Sequence, residues 1–160
     1  TGDILRDQLN QTSELSIKLK NIIDSGQLVS DEILNQIISN RITQTDCKKG
    51  FIFDGYPRTL NQAIFIDDFF LKKHLNIDYI FEIKIKEDSI IKRISSRSIL
   101  ENRGDDTLET IKTRIEKYYQ ETKPVLQHYY DNQRKIFRSI NGDREIADIN
   151  SLILNLLKKQ

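Results

Sequence analysis

Nine residues, FIFDGYPRT from Phe51 to Thr59, constrain this chain more than any other stretch. Phe51, Ile52 and Phe53 form an apolar run too short for a helix, behind the breaker Gly50, and they predict a buried β-strand. The run ends abruptly in Asp54, Gly55, Tyr56, Pro57 and Arg58. Such a strand end has a physical use, because ligands of open α/β sheets bind in the crevice at the carboxyl ends of the strands. Gly55 lets the backbone approach a ligand, Pro57 stiffens the turn, and Arg58 offers a planar fork to a phosphate. The same spacing also fits a plain strand and turn closed by a surface ion pair between Asp54 and Arg58. Short motifs alone do not choose between the two.

The elements around this stretch alternate between helix and strand. Thr1 can cap a first helix, and residues 13–25 read as a second that stops at Gly26. Ser30 caps a third over residues 31–44, with Ile33, Leu34, Ile37, Ile38 and Ile42 on its buried stripe. Residues 59–73 form the next helix, whose apolar positions include Ala63, Ile66, Phe69 and Phe70. Tyr79 to Ile85 alternates like a strand. A helix over 87–97, a polar segment over 98–106 and a long helical region over 108–131 follow, the last split or kinked at Pro124. Ile136 to Ile140 is a further strand, Asn141-Gly142 its turn, and residues 148–159 an amphipathic closing helix. Strands separated by helices predict a parallel sheet covered by helices, the α/β class.

Composition narrows the partners. Charged residues make up 31% of 160, yet the formal net charge is only +1, so no basic excess marks a nucleic-acid or anionic-membrane binder. An anion site must therefore be built locally. The single cysteine, Cys47, excludes an internal disulfide and fits a reducing cytoplasm. No apolar run is long enough to span a membrane.

Arginines are the natural candidates for such a site. Arg93 and Arg97 lie four apart on one helix face, where two cations repel unless an anion lies between them. Arg103 adjoins Gly104 in the polar segment, and Arg6, Arg58, Arg114 and Arg144 are spread along the chain. Any one of them alone is most simply a solvated surface residue. Together they suit a site that neutralises several phosphates, since phosphoryl transfer is catalysed mainly by positioning and charge stabilisation. His74 and His128 have no ligand spacing to each other or to Cys47 and read as surface or structural. Tyr118, Tyr119, Tyr129 and Tyr130 read as packing.

Several segments, in colinear order, carry a family resemblance. DGYPRT followed by Gln62 resembles the DG[FY]PRT…Q signature of adenylate kinases, and Thr1-Gly-Asp-Ile-Leu-Arg6 resembles their TGDxLR. Gly26-Gln-Leu-Val-Ser-Asp31 resembles G-x-L-V-[ST]-D. Arg93 to Arg97, then Asn102 to Asp106, resembles the arginine frame around the lid. Glu109 to Ile115, with Tyr118, Pro124, Tyr129 and Tyr130, resembles the helix after the lid, and Asn141-Gly142 with Arg144 the late glycine turn beside the adenine of ATP.

The resemblance implies a three-layer P-loop-type parallel sheet flanked by helices. It implies an AMP-binding helical insertion over 1–30, core over 31–95 and 107–160, and a short lid over 96–106. It implies phosphoryl transfer from Mg·ATP to AMP, giving two ADP, by a cytoplasmic monomer. Thr1, Arg6, Gln27, Leu28, Val29 and Gln62 would hold AMP, with Gln62 reading the adenine edge. Gly55, Tyr56, Pro57 and Arg58 would frame the AMP phosphate. Arg93, Arg97 and Arg144 would serve ATP, while Arg103 and Arg114 would bridge toward AMP and the transferring group. Arg58, Arg93, Arg97, Arg103 and Arg114 would thus form the catalytic set. Asp54 would hold waters of Mg²⁺.

Two departures qualify this picture. The spacer from Arg97 to Arg103 is short and holds neither Cys nor His, as in the short-lid form of the family, so a zinc ribbon is excluded. The phosphate-cradling GxxxxGK[ST] does not occur in these 160 residues. In the family it follows the first, central strand, in a unit of roughly 30 residues upstream of the position of Thr1. The 160 residues alone are accordingly expected to lack that strand and the P-loop lysine, and to have negligible kinase activity. Two other readings stand beside the first. A uridylate/cytidylate kinase is disfavoured by Thr1 and Thr59, since the pyrimidine enzymes more often resemble AGELLR and FPRN there. A non-catalytic nucleotide-binding remnant would follow if the P-loop were truly lost. Sequencing the gene upstream of Thr1 should reveal a strand followed by GxxxxGK[ST]; its absence would favour the remnant.

Overall fold

In a computed structural model of the chain, residue 4 and residues 29–100 and 108–158 are described, the side chains of 95, 97–100 and 108–110 excepted. The expected helix over 13–25 and most of the segment over 98–106 lie outside the described residues. The chain divides into two compact units, Thr1–Asn76 and Ile77–Gln160.

The first unit is built on helices α1 (Asp31–Ile42) and α2 (Leu60–Lys73), which pack together. Ser30 caps α1, its hydroxyl accepting from the Ile33 N–H at 3.4 Å, and Asp31 and Glu32 place negative charge in the first turn. Ile37, Ile38 and Ile42 are buried as their spacing predicts, while Ile33 and Leu34 are only half-buried. Thr59 caps α2 by accepting from the Gln62 N–H, and Ala63, Ile66 and Phe70 form its core stripe. The helix ends at His74 in the left-handed region (φ 54), with the Leu75 N–H returning to the Phe70 carbonyl. That gives His74 its structural role.

Two features differ from the sequence expectation. A 3₁₀ turn over Thr45–Lys49 has no periodicity to announce it. It is held by Arg41, which donates to both carboxylate oxygens of Asp46 (3.0 and 2.7 Å) and to the Cys47 sulfur at 2.9 Å. The hydrogen bond from Arg41 holds the Asp46 carboxyl below its usual range. Residues Phe51 to Phe53, expected as a strand, belong to no ladder among the described residues. Their alternation is nevertheless that of a strand: the Phe51 and Phe53 rings meet at 5.2 Å and rest on Phe70 at 6.0 and 6.1 Å, while Ile52 is 93% exposed. The extended backbone alone sends successive side chains to opposite faces, so the expected burial fails at Ile52, and a strand also needs a hydrogen-bonded neighbour.

The second unit holds strand β1 (Ile80–Lys84), helices α3 (Glu87–Leu100), α4 (Leu108–Lys117) and α5 (Lys123–Asn132), strand β2 (Phe137–Asn141) and helix α6 (Ile146–Leu157). The strands pair in parallel, from Ile80 opposite Phe137 to Lys84 opposite Asn141. Parallel pairing requires a long crossover, which α3 to α5 supply. Between α4 and α5 the backbone widens into a π turn over Tyr118–Thr122, with the Lys123 N–H reaching back to the Tyr118 carbonyl. Pro124 follows directly. It has no N–H to continue the ladder, so the helix adjusts by one wide turn rather than breaking. Ile111, Val125, Tyr129, Ile140 and Ile149 form the core, and the Tyr79 hydroxyl donates to the Leu156 carbonyl at 3.2 Å, tying the end of α6 to the chain entering β1. Helix α6 begins two residues earlier than its apolar pattern suggests.

Ile66 is 1% exposed on α2. Ile66→Ala should lower unfolding stability by about 2–4 kcal/mol through lost burial and a cavity. Leu71→Ala, on the same helix but 75% exposed, should stay within about 0.5 kcal/mol. Chemical denaturation of both variants provides the comparison.

Candidate functional site

In the first unit the site is the turn from Asp54 to Thr59 and the start of α2 behind it. Gly55 adopts φ 72, a conformation that L side chains rarely take, and the Tyr56–Pro57 peptide is cis. The Arg58 side chain folds back so that its Nε donates to the Gly55 carbonyl at 2.9 Å. A Cβ on Gly55 would lie 2.8 Å from Arg58 Nη2, so the glycine makes room for the arginine as well as for the turn. Tyr56 points the other way. Its hydroxyl donates to Asn35 Oδ1 at 2.6 Å, and burial, helped by the charge of Asp31, raises its pKa well above the usual phenol value. Only the backbone of Tyr56 can therefore face a ligand held by this turn.

Behind the turn lies a polar network that spacing alone does not disclose. The Arg58 N–H donates to Gln62 Oε1 at 2.7 Å. Gln62 Nε2 donates to Asp31 Oδ1 at 2.6 Å, and the Thr59 hydroxyl donates to Asp31 Oδ2 at 2.8 Å. Gln62 is only 3% exposed, so its amide is held on both sides inside the protein. The sequence signal for it is Asp31 of the GQLVSD segment, a carboxylate that also places negative charge in the first turn of α1. Asp54 ends the Phe51 run and lines a cavity of about 110 Å³ with Ile38, Ile42 and Phe53.

In the second unit the parallel strands end together, where ligands of such sheets bind. An open cavity of about 430 Å³ there is lined by Lys84, Lys86, Asn141 and Asp143, among others. The Gly142 N–H donates to the Lys84 carbonyl at 2.7 Å, and the Lys86 N–H donates to the Asp143 carboxylate. A Cβ at Gly142 would come within 2.5 Å of Ile83 Cγ2 and 2.6 Å of Ile85 Cγ1. Arg93, from α3, donates through Nη2 to the Arg144 carbonyl at 3.1 Å, so these two expected ATP-side residues are brought together. Arg114 is exposed on α4.

Among the sequence-predicted residues, Val29, Asp54, Gly55, Tyr56, Pro57, Arg58 and Gln62 belong to the first unit, and Arg93, Arg114 and Arg144 to the second. Thr1, Arg6, Gln27, Leu28 and Arg103 lie outside the described residues, as does the side chain of Arg97. Among the described residues no three or more His, Cys, Asp and Glu gather as a metal site. No described helix is long and apolar enough to cross a membrane.

Comparison with known proteins turns this geometry into an assignment. The adenylate kinase family model matches residues 1–134. The chain belongs to the adenylate kinase family. It is 37% identical to an adenylate kinase of Sinorhizobium medicae (strain WSM419), over 98% of this chain and 84% of that protein. It is 39% identical to the adenylate kinase of Brucella melitensis biotype 1, over 98% and 83%, and 34% identical to that of Pseudothermotoga lettingae, over 99% and 85%. These relatives do not favour the pyrimidine kinase alternative.

Because Gly142 sits against Ile83, Ile85 and the Lys84 carbonyl, Gly142→Ala should cost about 1–3 kcal/mol through overpacking. Denaturant titration would register the loss; unchanged stability would mean the strand end accommodates a methyl.

Proposed function

We propose that this chain is an adenylate kinase that transfers a phosphoryl group from Mg·ATP to AMP, giving two ADP. The observation that carries the site reading is the Gly55–Arg58 turn. A positive-φ glycine, a cis proline and a folded-back arginine precede the capped N-terminus of α2, whose backbone N–H groups and dipole favour an anion. We read this turn as the AMP-phosphate subsite, with Arg58 contacting the phosphate, Gln62 facing the adenine, and Thr1, Arg6 and Gln27 to Val29 completing the AMP side. Arg93, Arg97 and Arg144, with the open cavity beyond β1 and β2, are read as the ATP side. Arg103 and Arg114 bridge to the transferring group from the short lid and the helix after it.

Each of these groups is a positioning or charge-stabilising element, which is what phosphoryl transfer requires. The nucleophile is already an anionic phosphate, so no strong protein base is needed. Asp54 offers a hard oxygen donor suited to Mg²⁺, and a lone carboxylate suits an ion that keeps waters and takes its remaining ligands from nucleotide phosphates. When bound, Mg²⁺ supplies charge neutralisation on the phosphates. We read Phe51–Phe53 as a strand of a three-layer P-loop-type sheet, supported by its alternation and by the exposure of Ile52. A monomeric, cytoplasmic enzyme is the corresponding reading of its state and place.

In the full-length protein, Arg58→Ala should lower kcat/KM for AMP by about 10²-fold, since it removes a charged donor aimed at phosphate. Arg58→Lys should also be impaired, because a point charge does not replace the planar fork. AMP should be preferred over UMP and CMP in steady-state assays. Wild-type turnover in both variants, or preference for a pyrimidine, would contradict the assignment.

A further inference from the structure

The network behind the turn constrains Gln62 in a way that bears on which base the enzyme accepts. A backbone N–H can only donate, so the atom facing Arg58 N at 2.7 Å must be the amide oxygen. The carboxylate of Asp31 accepts, so the atom facing Oδ1 at 2.6 Å must be the amide nitrogen. The two contacts agree, and together they set which way the amide points. The other carboxylate oxygen is held by the Thr59 hydroxyl at 2.8 Å, which in turn accepts from the Gln62 N–H at 3.2 Å. Rotating the amide by half a turn would set nitrogen against the Arg58 N–H and oxygen against a carboxylate. Both contacts would then be repulsive.

This matters because glutamine is ambiguous when free. One amide N–H and one oxygen lone pair remain after the two contacts are made. That pair complements adenine, which presents an amino donor beside a ring-nitrogen acceptor. A 6-oxopurine presents the reverse, an oxygen acceptor beside a ring N–H, and a glutamine free to turn over would serve it equally well.

We propose that Asp31 is a specificity-determining positioning residue: by locking the Gln62 amide it makes the site select 6-amino over 6-oxo purine monophosphates. The proposal rests on the reading of Gln62 as the base-facing residue. Asp31 itself touches no substrate. Its carboxylate ties the start of α1 to the start of α2 and acts through Gln62. A site built to hydrogen-bond one pattern rejects the inverted one because its own polar groups would be left unpaired.

The test compares kcat/KM for AMP and IMP, with ATP as donor, in the full-length wild type and in Asp31→Ala, Asp31→Asn and Gln62→Ala. Asp31→Ala should reduce the AMP:IMP preference about tenfold, chiefly through KM for AMP. Asp31→Asn, whose amide oxygen still accepts from Gln62 without the charge, should retain more of it, with a loss of about threefold. The ratio compares two substrates on the same folded molecules, so partial unfolding of a variant leaves it unchanged. Should Asp31→Ala not fold, Asp31→Asn carries the test. Preference lost in Gln62→Ala and reduced in the Asp31 variants supports the proposal. Preference lost in Gln62→Ala but intact in the Asp31 variants overturns it and leaves the Gln62 reading standing. Preference intact in Gln62→Ala overturns that reading and this proposal with it.

Discussion

One carboxylate holds the turn from Asp54 to Thr59 in place. Asp31, in the first turn of α1, accepts from the Thr59 hydroxyl and from the Gln62 side chain, 28 and 31 residues away in sequence. Hydrogen bonds to a charged acceptor contribute about 1.5–3 kcal/mol each in general. Through Thr59 the carboxylate supports the cap of α2, and through Gln62 it reaches the backbone of Arg58. The backbone of the arginine assigned to the AMP phosphate is therefore tied to the helix packed against α2. Charge on the right residue is of little use to phosphoryl transfer unless the backbone carrying it is fixed.

The second unit reaches a similar end by different means. There the constraint is steric and not polar. Gly142 brings the chain leaving β2 so close to Ile83, Ile85 and the Lys84 carbonyl that no side chain fits, and the Arg144 carbonyl beyond it receives Arg93. Two parallel strands ending in register leave backbone and lysines around an open cavity. Loops after strands are free to vary, whereas the close approach at Gly142 is not.

Much of this was legible beforehand because it depends on local chemistry. Ser30 announces its helix as a cap, since a hydroxyl before an apolar periodic run satisfies an orphan N–H wherever it occurs, whereas Thr59 reads as the first helical residue and caps α2 instead. Pro124 announces a disturbance because it lacks a donor, although only the folded helix shows that a π turn absorbs it. The FIF run reads from its apolar character as a buried strand, yet Ile52 is exposed and no ladder forms among the described residues, because hydrogen-bonded pairing and cover depend on neighbours that local pattern cannot name. The 3₁₀ turn at Thr45–Lys49 has no local signature, since Arg41 organises it from outside the segment.

The sequence by itself determined the family and the identity of the phosphate-facing candidates. Arg58, Gly55 and Pro57 carry their chemistry in their own side chains and backbone preferences, and the colinear motifs place them within adenylate kinases. Tertiary structure alone decided what those residues are attached to. It turned Tyr56 into the core toward Asn35, set the Arg58 guanidinium back on Gly55, and closed the Asp31–Gln62–Arg58 chain of hydrogen bonds. The reason is physical: donors and acceptors find partners by distance in space, and the separation of about thirty residues between Asp31 and its partners disappears when α1 packs on α2.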